Sequence, residues 1–182
     1  MRRLKWVLLL LAIAACSHPC FAAAAESGWS VVGVRGGASA DEKDNYLRQY
    51  ELFARYQLPW ELRAKSGFGI GTNVEVAAGV LHTEGDYGLI GSVGPTFTVG
   101  SPTFPVYFDI GVAAAGLTRD TFGDRDYNGY GQFISHGAVN FVLGRGLGVT
   151  YRFHHISNAG LNGSSNPGVD LHLVGLTWHP AP

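Results

Sequence analysis

The chain has 182 residues and a formal net charge of −1, and this near-neutral charge argues against a nucleic-acid partner, which requires a basic surface. Twenty-six glycines, ten Phe, eight Tyr and four Trp accompany only 15% charged residues. That composition is untypical of a soluble helical domain and indicates β-structure with many tight turns in a single domain.

The first residues have the pattern of an export signal. Arg2, Arg3 and Lys5 form a positive region, and the apolar stretch 6–15 after them is too short to span a membrane comfortably. An A-x-A site follows at Ala23 to Ala25. We therefore predict a signal peptide over residues 1–25 and a mature chain over residues 26–182, about 157 residues long, which suits one domain.

Both cysteines lie in this leader. Cleavage after Ala25 would leave no thiol, and therefore neither a disulfide nor a thiolate metal site. The alternative is a lipobox at residues 13–16, which would leave Cys16 lipidated and the protein anchored by acyl chains. The A-x-A site lies just beyond the lipobox, so the signal peptide is the favoured interpretation.

Beyond the leader, several stretches alternate with period two, as strands with two different faces do. Residues 69–84 show it best, since Val74 and Val76 share an apolar face while Asn73 and Glu75 share the opposite one. The predicted strands number about eight: Trp29–Gly37, Tyr46–Gln57, Gly69–Glu84, Gly88–Val99, Val106–Thr118, Tyr130–Leu143, Leu147–Ile156 and Val169–Trp178.

The joins between these strands alternate between two classes. Short connections are predicted at 58–60, 100–102 and 144–146, and longer or more polar ones at 38–45, 85–87, 119–129 and 157–168. With the export signal, this pattern predicts an all-β fold, an eight-stranded antiparallel up-and-down transmembrane β-barrel in the outer membrane. A periplasmic sandwich is the alternative. Eight strands leave an interior filled by side chains, which argues against a porin.

The seventh predicted strand carries an anomaly. Its odd positions, from Leu147 to Phe153, are apolar and should face lipid, and the same parity puts His155 and Ser157 on that face. A polar pair is costly in hydrocarbon and tolerable near the interface. We therefore expect His155 and Ser157 at the outer rim, where the strand ends.

This pair has the residue types of an esterase. Neutral His155 could take the proton of Ser157 so that the hydroxyl attacks an ester carbonyl, with Asp170 on the next strand orienting the imidazole. The oxyanion would need donors, for which Asn158 and the backbone at Gly160 are candidates. A His-x-Ser at a strand end is also a common rim pair, and Ser-Asn-Ala-Gly is also an ordinary turn.

Two segments carry a family resemblance. Residues 155–161 read His-Ile-Ser-Asn-Ala-Gly-Leu and residues 166–170 read Asn-Pro-Gly-Val-Asp. They resemble the signature of the outer-membrane lipid A 3-O-deacylase family, in which H-x-S-N-A-G is followed by N-x-G with an acidic residue two positions on. The resemblance is specific in the last third of the chain and loose over the remainder.

The resemblance implies a role for each matching residue. The general base falls on His155, the nucleophile on Ser157, the acid on Asp170 and the oxyanion donors on Asn158 and Gly160. The implied reaction hydrolyses the 3-O-linked acyl ester of lipid A at the outer leaflet and releases a 3-hydroxy fatty acid. Two departures are an Asp where Glu is expected, and the end Trp-His-Pro-Ala-Pro in place of a terminal aromatic.

Other polar residues fit simpler roles. His154 should face the lumen with Arg152 as a hydrogen-bonding residue, while His82, His136 and His172 fall on different strands and show no metal-site spacing. The charged segment containing Asp120, Asp124, Arg125 and Asp126 is predicted to be a solvated outer loop, with contact to lipopolysaccharide phosphates or cations as a lesser alternative.

The predicted protein thus takes no cofactor or metal, and its partners are lipid A and outer-membrane lipids. Homodimer formation stays open. The alternatives to the esterase are a non-catalytic barrel serving adhesion or envelope structure, and a membrane acyltransferase that passes the acyl chain to an acceptor other than water.

Overall fold

The computed structural model describes residues 21–24, 27–40, 46–161 and 167–180. Eight long antiparallel strands form one closed sheet, because each pairs with its neighbours in the chain and the last pairs with the first. The predicted up-and-down barrel is confirmed. The strands are β1 (Gly28–Ser39), β2 (Arg48–Arg63), β3 (Gly69–His82), β4 (Tyr87–Gly100), β5 (Val106–Leu117), β6 (Gly131–Gly144), β7 (Leu147–Ser157) and β8 (Val169–Trp178).

The two faces of the sheet differ in polarity. Large apolar side chains such as Leu52, Ile110 and Val174 are exposed on the outside, whereas polar ones such as Asn73 and Glu75 are buried inside. The alternation predicted for β3 is therefore confirmed. The described residues contain no helix with the length and hydropathy needed to cross a membrane.

The interior is filled by charged side chains. Glu75 accepts from Arg35 at 2.7 Å and Arg55 at 3.0 Å, and it also pairs with Arg152. Arg55 reaches Asp109 at 2.8 Å. Because these buried charges are paired, the interior avoids the penalty of isolated ions. The filled lumen matches the interior predicted for so narrow a barrel.

Near the loops that follow β3 and β5, an apolar cluster replaces this charge network. It includes Leu81, Ile156, Val169 and Leu171, all buried to 2% exposure or less. Ile156 and Val169 are cross-strand partners with inward side chains. They fix the ends of β7 and β8, so that the residues next to them in each strand point outward.

One predicted turn is wrong. We expected a connection at Leu58 to Trp60, but β2 continues through these residues to Arg63, and the chain reverses at 64–67. The register between β2 and β3 shifts between Gln57 and Glu61. Proline cannot donate to a ladder, and an irregularity of this kind is where a strand tolerates it. The short connection predicted at 144–146 is confirmed, since β6 ends at Gly144, β7 begins at Leu147, and Gly144, Arg145 and Gly146 all have positive φ.

A short strand, Phe21–Ala24, pairs with β2 at residues 60–63. These residues precede the predicted cleavage position, so removal of the leader after Ala25 would remove this strand. The signal peptide stays a prediction, and Cys16, Cys20 and the lipobox lie outside the described residues.

The loop between β5 and β6 is partly solvated and partly packed. Asp124 and Asp126 are exposed, as predicted, but the segment forms a hairpin of Thr121–Phe122 and Arg125–Asp126. The rings of Phe122 and Tyr127, 1% and 2% exposed, meet edge to face and join the apolar cluster. Burial raises the pKa of Tyr127 to about 12, against the opposing charge of Arg125, so the phenol stays neutral. The hairpin is therefore anchored on the barrel.

Candidate active site

His155 and Asp170 meet directly across the β7–β8 pair. They are cross-strand partners, and His155 Nδ1 lies 2.6 Å from Asp170 Oδ1. Their side chains are 41% and 48% exposed, on the same outward face as Phe153 and His172. The parity predicted from the seventh strand thus holds for His155, and Asp170 shares its face despite the short arm of an aspartate.

This contact orients the imidazole. With Nδ1 directed at a carboxylate, the other ring nitrogen, Nε2, is left for chemistry, as in a base held by an orienting acid. The ring lies against the backbone of Gly168, since a Cβ at that position would come within 2.8 Å of Nε2. Glycine at 168 is therefore a packing requirement of the His155 ring.

Ser157 is the last residue of β7, two positions beyond His155, and only 9% exposed. Its cross-strand partner is Phe133 on β6. Within the described residues, no hydrogen bond joins the Ser157 hydroxyl to the His155 ring. The structure therefore contains the contact between His155 and Asp170, while the Ser157 hydroxyl lies nearby at the end of β7 without a hydrogen bond to the imidazole.

Asn158 and Gly160 form a tight turn. The buried Asn158 side chain accepts from the Gly160 N–H at 2.8 Å and donates through Nδ2 to the Tyr127 carbonyl at 3.4 Å. Ala159 and Gly160 both have positive φ. The two predicted oxyanion donors are adjacent, but the Gly160 N–H points at Asn158 and becomes available to an oxyanion only when that hydrogen bond opens.

No pattern in the sequence indicates Ser135 as a site residue. This exposed residue on β6 is the other cross-strand neighbour of His155, opposite Asp170. Only the register between β6 and β7 brings Ser135 next to His155. His154, by contrast, lies inside the barrel as predicted, with Nε2 3.2 Å from Gln49 Oε1.

Two further features of the described residues bear on the site: the absence of a metal-binding cluster and one open concavity on the outside of the barrel. Across the described ranges no three His, Cys, Asp or Glu side chains converge on a common point. An open concavity of about 750 Å³ lies on the outward face around β1, β2, β3 and β8, and its lining is mainly apolar, including Val34, Leu52 and Val174. Its lining contains neither His155 nor Ser157.

The family comparison now identifies the class of enzyme. The model of the family described as lipid A 3-O-deacylase (PagL) matches residues 48–179, which include β2 to β8 and all five candidate residues. The chain belongs to the lipid A 3-O-deacylase (PagL) family. It is an outer-membrane enzyme that hydrolyses the 3-O-linked acyl ester of lipid A. A sequence comparison with curated proteins finds no match.

Solved structures support the PagL fold. The chain is similar to the crystal structure of the outer membrane enzyme PagL, with TM-score 0.71 and 18% identity, covering 84% of this chain and 100% of that one. It is also similar to the Yersinia pestis outer membrane protein Ail, with TM-score 0.50 and 12% identity over 84% of this chain and 99% of that one. At such identities the likeness concerns the barrel alone.

Proposed function

We propose that this deacylase is a serine esterase whose nucleophile is Ser157, whose general base is His155 and whose orienting acid is Asp170. The observation that carries the proposal is the 2.6 Å contact between His155 Nδ1 and Asp170 Oδ1 on the outward face of the barrel. A carboxylate that holds an imidazole in this way prepares its Nε2 to accept a proton. Ser157 supplies a hydroxyl two residues further along the same strand.

The first half of the reaction forms an acyl-enzyme. His155 Nε2 takes the proton of Ser157 as the oxygen attacks the ester carbonyl carbon, and Asp170 stabilises the imidazolium that results. As the tetrahedral intermediate collapses, the bond to the sugar oxygen breaks. The imidazolium then returns its proton to that oxygen, so the deacylated lipid leaves as an alcohol.

The second half reverses the roles with water. His155 removes a proton from a water molecule, the resulting nucleophile attacks the acyl carbonyl, and the Ser157 oxygen is expelled and reprotonated. The product is a 3-hydroxy fatty acid. No cofactor is required by these steps, because every proton transfer uses His155.

The oxyanion of each intermediate needs donors. The Asn158 amide and the Gly160 N–H follow Ser157 by one and three residues, so both lie at the same end of β7 as the nucleophile. Their mutual hydrogen bond at 2.8 Å has to open for the Gly160 N–H to turn toward substrate. Substrate binding would thus exchange one hydrogen bond for another at little net cost.

The side of the barrel determines how substrate arrives. His155 and Asp170 are half exposed on the face that carries the outward apolar side chains, at the end of β7 and the start of β8. A lipid diffusing in the outer leaflet reaches this face without leaving the membrane. A polar catalytic pair is tolerable there because the interface admits water.

A covalent trap tests the assignment of the nucleophile. We expect an alkyl p-nitrophenyl phosphonate to inactivate the detergent-solubilised enzyme and to modify Ser157, as located by peptide mass spectrometry. His155→Ala should label at least about 100-fold more slowly, since the base contributes roughly this factor. Phosphonate attached to Ser135, or labelling that is unaffected by loss of His155, would contradict the proposal.

The glycine beneath the imidazole gives an independent test. Gly168→Ala places a methyl group in the space of the His155 ring, and displacing the ring by a fraction of an ångström should lower kcat by about 10-fold or more. Deacylation of lipid A, followed by mass spectrometry, measures the effect. Gly91→Ala on β4 is the matched control, because a Cβ at that exposed position meets no atom within 4 Å. Equal losses in the two variants would show that the His155 contact is irrelevant.

A further inference from the structure

The loop between β5 and β6 contacts the candidate active site at two places, beside the base His155 and at the oxyanion donor Asn158. It is held on the barrel by the buried rings of Phe122 and Tyr127, and on the β3–β4 loop by an ion pair of Arg119 with Asp86 at 2.6 Å. The Gly123 N–H also donates to Asp86 at 2.8 Å. A loop tied down at both ends can hold other groups in place.

Its first contact reaches the base. The Arg125 guanidinium donates through Nη2 to the carbonyl oxygen of Gly168, the residue against which the His155 ring lies. A charge-assisted hydrogen bond to a backbone carbonyl fixes the path of the chain as it enters β8. Arg125 therefore supports the backbone of Gly168 against which the imidazole packs. Gly168 is two residues before Asp170, so the same hydrogen bond lies close to the orienting acid.

Its second contact reaches the oxyanion donor. The Tyr127 carbonyl accepts from Asn158 Nδ2 at 3.4 Å and from Gln132 Nε2 at 3.1 Å. Tyr127 is itself fixed, because its N–H donates to the Asp120 carbonyl at 2.7 Å and the Arg125 guanidinium lies 5.7 Å from its ring centre. The same short hairpin thus holds the amide that follows Ser157.

We propose that Arg125 is a positioning residue for deacylation, which aligns His155 through Gly168 and Asn158 through Tyr127. This inference rests on the catalytic roles proposed above. Arg125 need not touch the substrate: its side chain binds a backbone carbonyl of the enzyme, and its effect is on geometry. Loss of that support should slow the chemical step and leave lipid binding nearly unchanged.

The test separates positioning from substrate binding. We compare Arg125→Ala and Arg125→Lys with the wild type, using lipid A and a p-nitrophenyl ester of a 3-hydroxy fatty acid that carries no phosphate. Arg125→Ala should lower kcat by about 10-fold on both substrates and change KM by less than about 2-fold. Lysine keeps a charged donor group but lacks the guanidinium fork and should be intermediate, and millimolar guanidinium should restore part of the activity of Arg125→Ala.

Arg145→Ala is the matched control, because it removes an exposed arginine from the β6–β7 turn, outside the loop that contacts the site. It should retain wild-type kcat. Three results would overturn the inference: an unchanged kcat in Arg125→Ala, an equal loss in Arg145→Ala, or a rise in KM confined to lipid A, which would indicate that Arg125 binds a substrate phosphate.

Ser157→Ala in the same assay keeps the two proposals apart. If Ser157→Ala is active, the catalytic assignment fails whatever Arg125 does. If Ser157→Ala is inactive and Arg125→Ala has wild-type kcat, the catalytic assignment stands and only the positioning role is lost. The heat-modifiable gel band of each variant reports whether the barrel has folded.

Discussion

Replacement of Ser157 by alanine should reduce release of 3-hydroxy fatty acid from lipid A by at least about 10³-fold, because no covalent acyl-enzyme can form without the hydroxyl. The barrel itself should be unaffected. Ser157 lies at the end of β7 and contributes no hydrogen bond to His155 in the resting structure. The heat-modifiable folded band should therefore match that of the wild type, and mass spectrometry of lipid A measures the loss of activity.

Ser135→Ala supplies the control for this variant. Ser135 is a cross-strand neighbour of His155 and more exposed than Ser157, so it is the other hydroxyl that an imidazole at this place could activate. We expect the variant to keep wild-type activity. Inactive Ser135→Ala together with active Ser157→Ala would transfer the nucleophile to β6 and leave His155 as the base of a different pair.

The barrel could be predicted from local pattern because its two faces meet different surroundings. Outward positions carry apolar side chains such as Leu52 and Val174, and inward positions carry polar ones such as Glu75, so alternation marks each strand. The bounds of β8 were predicted without error. The end of β2 was not, since Pro59 indicates a turn in sequence while an irregular register accommodates it inside a strand.

The candidate site also has one part that local pattern predicts and one part that it does not. Parity along β7 predicted the face of His155, because parity is a property of one strand. The sequence analysis named Asp170 as a partner of His155, but direct opposition of two residues is a property of the register between strands, which one strand alone does not specify. The register places Asp170 of β8 directly opposite His155 on one side of β7, and Ser135 of β6 directly opposite it on the other side. The short arm of Asp170 looked like a weakness in sequence, and direct opposition across the pair compensates for it.

The loop shows a further limit of sequence reasoning. A run containing Asp120, Asp124 and Asp126 predicts solvation, and the two later carboxylates are indeed exposed. The bond between Arg125 and Gly168 joins residues 43 positions apart, and no local pattern reveals it. Contacts of this kind depend on the closure of the whole barrel, which brings the β5–β6 loop beside the start of β8.

Replacement of Asp170 by asparagine should lower kcat for lipid A deacylation by about 10² to 10³-fold. The asparagine amide can donate to His155 Nδ1, which would place the ring proton on Nε2 and leave no acceptor for the Ser157 proton. It also removes the negative charge that stabilises the imidazolium. Because Asp170 is 48% exposed, water can take over part of this role, and the loss should be smaller than for a buried triad acid.

Asp170→Glu separates the charge from the length of the arm. The carboxylate is already 2.6 Å from Nδ1, so an added methylene has to fold outward, where the half-exposed site leaves room. We expect this variant to retain activity within about 10-fold of the wild type, since the charge and the acceptor persist. Asp124→Asn, an exposed carboxylate in the β5–β6 loop, is the control for general charge loss. Full activity in Asp170→Asn would show that the contact is a rim ion pair, and that His155 is oriented by the Gly168 backbone alone.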